Sequence, residues 1–359
     1  MKKTFSAVAL GMAASLALAA CGSAPTDDAS SDTDAATTSD FKACMVSDAG
    51  GFDDQSFNQS GKEGLERAKE ELGVEVAYAE STSDADYATN VDAMVQENCN
   101  LIIGVGFKLA TALTEAAVAN HDVEFALVDS SFEEELDNAR PLIFNTAGAA
   151  YLAGYAAAGM TQTGKVATYG GMEIPSVQIF MEGYAQGVAK YNEDNGTSVE
   201  VLGWDSEEQS GSFTGDFEST AKGKTMTEGF LSQDADVIMP VAGPVGAGTL
   251  SAISEADNAD DLMAIWVDSD GYVTTGDTHV LTTVVKETGN SVYDTTKDAM
   301  EGSFTNEAYV GTLENEGVSL APWHDYEDKV SDDLKEQITT LQEQIASGEL
   351  EITTDYDPS

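Results

Sequence analysis

FKACMVSDAGGFDDQSFNQSGKEGLERAKEELGVEVAYA, residues 41–79, spells out one complete structural unit. An apolar run, FKACMVSD, leads into paired glycines, aspartates, two phenylalanines and an Asn. An amphipathic helix reaching Glu71 follows, and then a second apolar run, VEVAYA. Strand, helix and strand in that order make a right-handed βαβ unit on a parallel sheet. The rhythm continues through a helix carrying Val91, Met94 and Val95, the run LIIGVG, a helix over 109–119 and VEFALVD. After PLIFNT it starts again, with an Ala-rich helix, GKVATYG, a helix over 177–191, VEVLGW, a helix over 219–231, DVIMPVA, a helix over 247–256 and LMAIWVD. Two similar α/β halves result. VLTTVVK, a helix near 290–300 and a last helix over 332–345 remain, so the chain is expected to cross back between the halves. The expected boundaries are 41–146 plus about 280–306 for the first lobe, and 147–279 plus about 307–359 for the second.

The N-terminal 40 residues read differently. Lys2 and Lys3 precede an apolar run over 7–20, the pattern of a secretory signal spanning 1–20 and too short for a comfortable membrane span. LAACG, residues 18–22, resembles a bacterial lipobox, in which the cysteine, here Cys21, is diacylated and becomes the new N-terminus. The alternative is a plain signal with an incidental cysteine. Residues 21–40 are mostly Ser, Thr, Asp and Ala without large apolar side chains, and read as a flexible tether. The apolar stretch 147–160 is short, rich in Ala and Gly, and carries Tyr151 and Tyr155, so a helix packed between layers is expected rather than a membrane span.

Sixteen basic residues against 64 acidic ones give a formal charge of -48, which repels nucleic acid and anionic head groups and disfavours polyanionic ligands. A solvated extracellular surface accounts for most of it. Beyond Cys21 stand Cys44 and Cys99, in neither a metal nor a redox spacing; export permits a disulfide between them, but Cys is also a common small core residue, the reading the spacing favours.

At the carboxyl ends of the expected strands stand Asp48, Gly104 to Phe107, Asp129, Gly170 and Gly171, Gly243, and Asp268 to Asp270. Glycines let backbone approach a ligand, and fixed carboxylates discriminate for donors such as paired hydroxyls. Phe57 and Phe180 offer apolar faces for a flat ring, and Asn58 offers a base edge both a donor and an acceptor. Each has a quieter reading: the phenylalanines as core, the aspartates as helix caps. The glycines of 243–248 lack the Lys-Ser/Thr ending of a phosphate loop, and DSDG at 268–271 has its Gly too early for a calcium loop. Two open α/β lobes with several crossovers resemble the type I periplasmic-binding-protein architecture, with the ligand in the cleft between strand ends.

SDAGGFDDQSFNQSGKEGL, GVGF, FALVDS, GKVATYGGMEIPSVQIFMEGYAQG, ADVIMPVAGPVGAGTL, WVDSDGY and VLTTVVKETGNSVYD together resemble the basic membrane lipoprotein family, substrate-binding lipoproteins of ABC importers, many of which bind purine nucleosides. The resemblance implies that Asp48 and Asn58 face the ligand, Phe57 and Phe180 sandwich the base, and Asp129 reads a base edge. It implies further that Gly243, Asp268 and Lys286 hold the ribose hydroxyls, and that an ABC permease receives the ligand. No cofactor or metal is implied, and a monomer is expected on the extracytoplasmic face of the cell membrane. Tyr184 stands where relatives often carry Phe.

Three alternatives stay open: a sugar or small polyol in the cleft, an envelope or host protein as the partner, and an exported hydrolase or nucleosidase. Against the enzyme, His121, His279 and His324 sit apart without metal spacing, and no Ser or Cys nucleophile has a base nearby in the pattern.

The lipobox reading predicts that cells fed a palmitate analogue label the wild type and not Cys21→Ser. Equal labelling of both proteins overturns it.

Overall fold

The structure is a computed structural model that describes residues 40–358. Cys21, the signal segment and the tether up to residue 39 lie outside the described residues.

In chain order, β1 (Lys42–Ser47), α1 (Phe57–Leu72), β2 (Glu75–Ala79), α2 (Tyr87–Gln96), β3 (Leu101–Val105), α3 (Ala110–Ala119), β4 (Glu124–Val128) and β5 (Ala139–Phe144) lead to α4 (Ala147–Met160). Then come β6 (Lys165–Gly170), α5 (Pro175–Asn195), β7 (Glu200–Leu202), a small hairpin of β8 (Trp204–Asp205) and β9 (Ser210–Gly211), α6 (Thr220–Leu231), β10 (Val237–Val241), α7 (Ala247–Ser254) and β11 (Met263–Asp268). The chain ends through α8 (Gly271–Thr275), β12 (Val280–Lys286), α9 (Thr288–Glu301), β13 (Tyr309–Gly311), β14 (Val318–Leu320) and α10 (Asp332–Ala346).

Two six-stranded sheets have matching orders, β13-β5-β4-β3-β1-β2 and β14-β12-β11-β10-β6-β7. The first is parallel throughout, and the second is parallel except for β14, which runs antiparallel to β12. The chain passes between the sheets three times, after β5, after β12 and after β13. This is the type I periplasmic-binding-protein fold.

The last segments divide differently from the sequence reading. Residues 280–286, expected in the first lobe, form β12 between β11 and β14 of the second sheet. Residues 309–311, expected in the second lobe, form β13 against β5 of the first. VLTTVVK announces a strand buried on both faces, but burial does not say which sheet supplies the partners. The pairs β8/β9 and the strands β13 and β14 carry two or three residues each, too few for a period to register.

Helix α1 shows how the lobes are built. Gly61, Gly64, Leu65 and Ala68 recur at helical spacing and form its buried face. A Cβ at Gly64 would overlap the backbone of Gly289, so this glycine lets α1 and α9 touch. Gly73, at φ 71°, ends the helix in the left-handed conformation. Cys44 of β1 and Cys99 before β3 are joined in a disulfide, with Cα atoms 5.9 Å apart.

Helix α4 is buried from Ala147 through Ala158 and packs closely on α5. Gly154, Gly183 and Gly187 make that approach possible, since a Cβ on any of them would overlap backbone of the facing helix. Among the described residues no helix is long and apolar enough to cross a membrane. Tyr184 of α5 is a core residue at this interface: it is fully buried, its hydroxyl has no partner, and burial pushes its pKa far up.

Gly154→Ala is therefore expected to lower unfolding free energy by about 1–3 kcal/mol through overpacking. Tyr184→Phe removes only an unpaired hydroxyl and should leave it unchanged or raise it. Urea denaturation of both checks this; a neutral Gly154→Ala, or a large loss in Tyr184→Phe, contradicts the packing described.

Candidate ligand-binding cleft

The carboxyl ends of both sheets face one another across a cavity lined by residues of both lobes. Asp48, Phe57, Asn58, Asp129, Phe180, Gly243, Asp268 and Lys286 all line it.

On the first lobe, the turn after β1 is organised by Asp54. Its carboxylate accepts the backbone N–H groups of Ser56, Asn58 and Gln59 at 2.9–3.0 Å, supplying the cap that the start of α1 requires. The Asn58 amide nitrogen donates to Asp48 Oδ1 at 2.9 Å and to Asp54 Oδ2 at 3.1 Å. Both amide hydrogens are thus taken by carboxylates. The expected donor-plus-acceptor role of Asn58 is reduced to an acceptor, since Oδ1 is buried and has no partner in the protein. Burial pushes both carboxyls, Asp48 and Asp54, above the usual range, with the hydrogen bonds they accept working against it.

The centre of the site is symmetric between the lobes. Asp129 follows β4, and Asp268 ends β11, the strand at the same position in the second sheet. Both adopt left-handed backbone, at φ 65° and 71°, a conformation uncommon outside glycine and concentrated at functional sites. Gly106 after β3 and Gly243 after β10 are a second matched pair, at φ 105° and 51°. A Cβ at Gly106 would press on Asp48 Oδ2, whereas the space beside Gly243 is open.

Lys286, the last residue of β12, joins the lobes. Its ammonium lies 3.1 Å from Asp129 Oδ2 and 3.3 Å from Asp268 Oδ1, with the side chain only 4% exposed. Burial opposes the charge, but Asp129 and Asp268 outweigh it and hold the Lys286 pKa above its ordinary value. Burial pushes Asp129 up, against the pull of Lys286. The ammonium is also 5.1 Å from the ring centroid of Phe57 and 5.3 Å from that of Phe180, so the two rings, one from each lobe, flank it. Asp129, read from sequence as a base-edge group, is here paired with the same cation as Asp268.

The sequence reading did not single out Asp54, Ile174, Ser176 or Phe217, and quoted Phe107 without a role; all line the cavity. Asp54 carried a signal, an Asp just before an amphipathic helix and four residues before Asn58. Phe217 carried none: it sits in an irregular segment and reaches the cleft over Gly171, where a side chain would overlap its ring.

The sequence profile of the family described as "ABC transporter substrate-binding protein PnrA-like" matches residues 41–355. The ABC transporter nucleoside-binding protein BmpA of Lactococcus lactis subsp. cremoris is 32% identical, over 98% of this chain and 99% of that protein. Basic membrane protein A of Borreliella burgdorferi is 26% identical over 86% of each. Among solved structures, an ABC transporter solute-binding protein from Aeropyrum pernix superposes with a TM-score of 0.78 at 27% identity, covering 88% of this chain and 94% of that one. The arabinose-binding protein AraP of Geobacillus stearothermophilus, at 18% identity and a TM-score of 0.58 over 81% and 99%, shares the fold alone. The profile match spans both lobes and every residue that lines the cleft, and the chain belongs to the PnrA-like family of ABC transporter substrate-binding proteins.

Proposed function

We propose that the cleft captures a nucleoside, with purine preferred, and presents it to an ABC permease from a lipid anchor at Cys21 on the outer face of the cell membrane. The observation that carries this reading is the pair of rings, Phe57 and Phe180, one from each lobe, beside the buried cluster of Asp129, Lys286 and Asp268. Two aromatic rings in one cavity, one from each lobe, suit a flat base. Fixed carboxylates beside an ammonium suit vicinal hydroxyls, which donate to the acids and accept from the lysine. We assign Asp129 to this ribose group, together with Asp268, Lys286 and the open backbone at Gly243. Asn58 Oδ1 then supplies an acceptor for a donor on the base edge. The name of the Lactococcus relative supports a nucleoside. A sugar or polyol would use the acidic cluster but bring no flat base to the two rings.

Calorimetry with guanosine, guanine and ribose tests the assignment. Guanosine should bind more tightly than guanine by about 1–3 kcal/mol, roughly tenfold or more, because the acceptors otherwise lose their hydroxyl partners. Phe180→Ala should cost about 1–3 kcal/mol of guanosine binding while retaining the fold. Equal binding of guanosine and guanine removes the ribose assignment. Unchanged guanosine binding in Phe180→Ala removes the sandwich.

Lys286→Met leaves two buried carboxylates without their cation. It should cost about 3–5 kcal/mol of stability at pH 7. Burial already pushes Asp129 up against the pull of Lys286, so without the ammonium its folded-state pKa lies further above the unfolded value and the folded protein binds the extra proton. The penalty therefore shrinks as pH falls from 7 to 5, before unfolded carboxyls titrate near 4. Urea melts of wild type and variant at both pH values check this; a penalty equal at the two overturns it.

A further inference from the structure

Ser56 does not line the cavity, yet it makes direct hydrogen bonds between the lobes at the cleft. Its hydroxyl donates to Asp268 Oδ2 at 3.0 Å, and its carbonyl accepts the hydroxyl of Ser269 at 3.0 Å. The neighbouring Gln55 donates from Nε2 to the Thr274 carbonyl at 3.3 Å. Three hydrogen bonds thus tie the turn before α1 to the 268–274 segment of the second lobe. The turn is held from its own side as well: the Ser56 N–H is bound by Asp54, and Gln55 sits at φ 55°, where a non-glycine residue is retained only if its surroundings hold it. Ser56 is fully buried.

We infer that Ser56 is a positioning residue for ligand capture, acting through Asp268. The Asp268 carboxylate has one oxygen on Lys286 and the other on Ser56, so its orientation in the cleft is set by a group on the opposite lobe. The residue that follows Ser56 is Phe57. Docking of this turn on the second lobe therefore seats the Phe57 ring and aims the Asp268 carboxylate in one movement, and separation of the lobes undoes both. Closure of a two-lobed binding protein adds contacts that slow ligand escape more than they speed its entry. The clasp rests on capture in the cleft and not on the identity of the ligand.

Stopped-flow binding of guanosine to the full chain, purified in detergent, tests the clasp. Ser56→Ala should raise the dissociation rate about tenfold with the association rate within about twofold, since Asp268 loses its donor from the opposite lobe. Ser269→Ala removes only the return bond and should raise the rate by a smaller factor, about threefold. It carries the test if Ser56→Ala does not fold. A dissociation rate unchanged in the folded variants overturns the proposal. If guanosine binds neither wild type nor variant, the nucleoside reading fails on its own. Spin-label distances between Glu115→Cys on the first lobe and Glu228→Cys on the second, measured without ligand, then decide. Loss of the short-distance population in Ser56→Ala supports the clasp, and identical distributions overturn it.

Discussion

One buried cation organises this molecule. Lys286 brings a charge into a region from which water is largely excluded, and such a charge is tolerated only where opposite charge and hydrogen bonds surround it. Asp129 from one lobe and Asp268 from the other do so at 3.1 and 3.3 Å. An ion cluster of this kind adds little net stability against an apolar replacement, but removing one member is costly, so it specifies geometry more than it strengthens the fold. The geometry specified is the closeness of the two lobes.

The position of Lys286 follows from the topology. It ends β12, and α9, which packs on the first lobe, begins two residues later. A residue at a crossing belongs to both lobes, so a charge there can pair across the cleft without a long reach. The two acids meet it because the sheets share one strand order and place Asp129 and Asp268 at matching strand ends. Their left-handed backbone turns each side chain inward where an extended strand would have carried on.

The same economy of donors governs the rest of the cleft. Asp54 uses its oxygens on the backbone of the α1 start and on Asn58, so the acceptor Oδ1 is what Asn58 has left unpaired. Asp268 divides its oxygens between Lys286 and Ser56. Each polar group is oriented by a partner that does not itself need to touch a ligand. The charge of -48 spread over the whole chain plays no part in this arrangement, because the groups that matter are buried pairs and not the field of the surface.

Much of this is legible in the amino-acid sequence itself. The alternation of apolar runs and amphipathic helices from residue 41 onward determined the α/β class and the two halves, because a parallel strand buried on both faces and a helix buried on one leave distinct periods in the chain. The eight residues expected at the ligand all line one cavity, since the carboxyl ends of parallel strands are where such sheets open. Tertiary structure alone decided three things. It decided which sheet receives β12 and β13, because burial records that partners exist and not which they are. It decided that Cys44 and Cys99 are paired and that Tyr184 faces the α4 interface, because both depend on distances between elements far apart in sequence. And it decided how the donors and acceptors of the cleft are shared, because a side chain's hydrogen-bonding capacity is a property of its type, whereas what remains of that capacity for a ligand depends on the neighbours that have already used it.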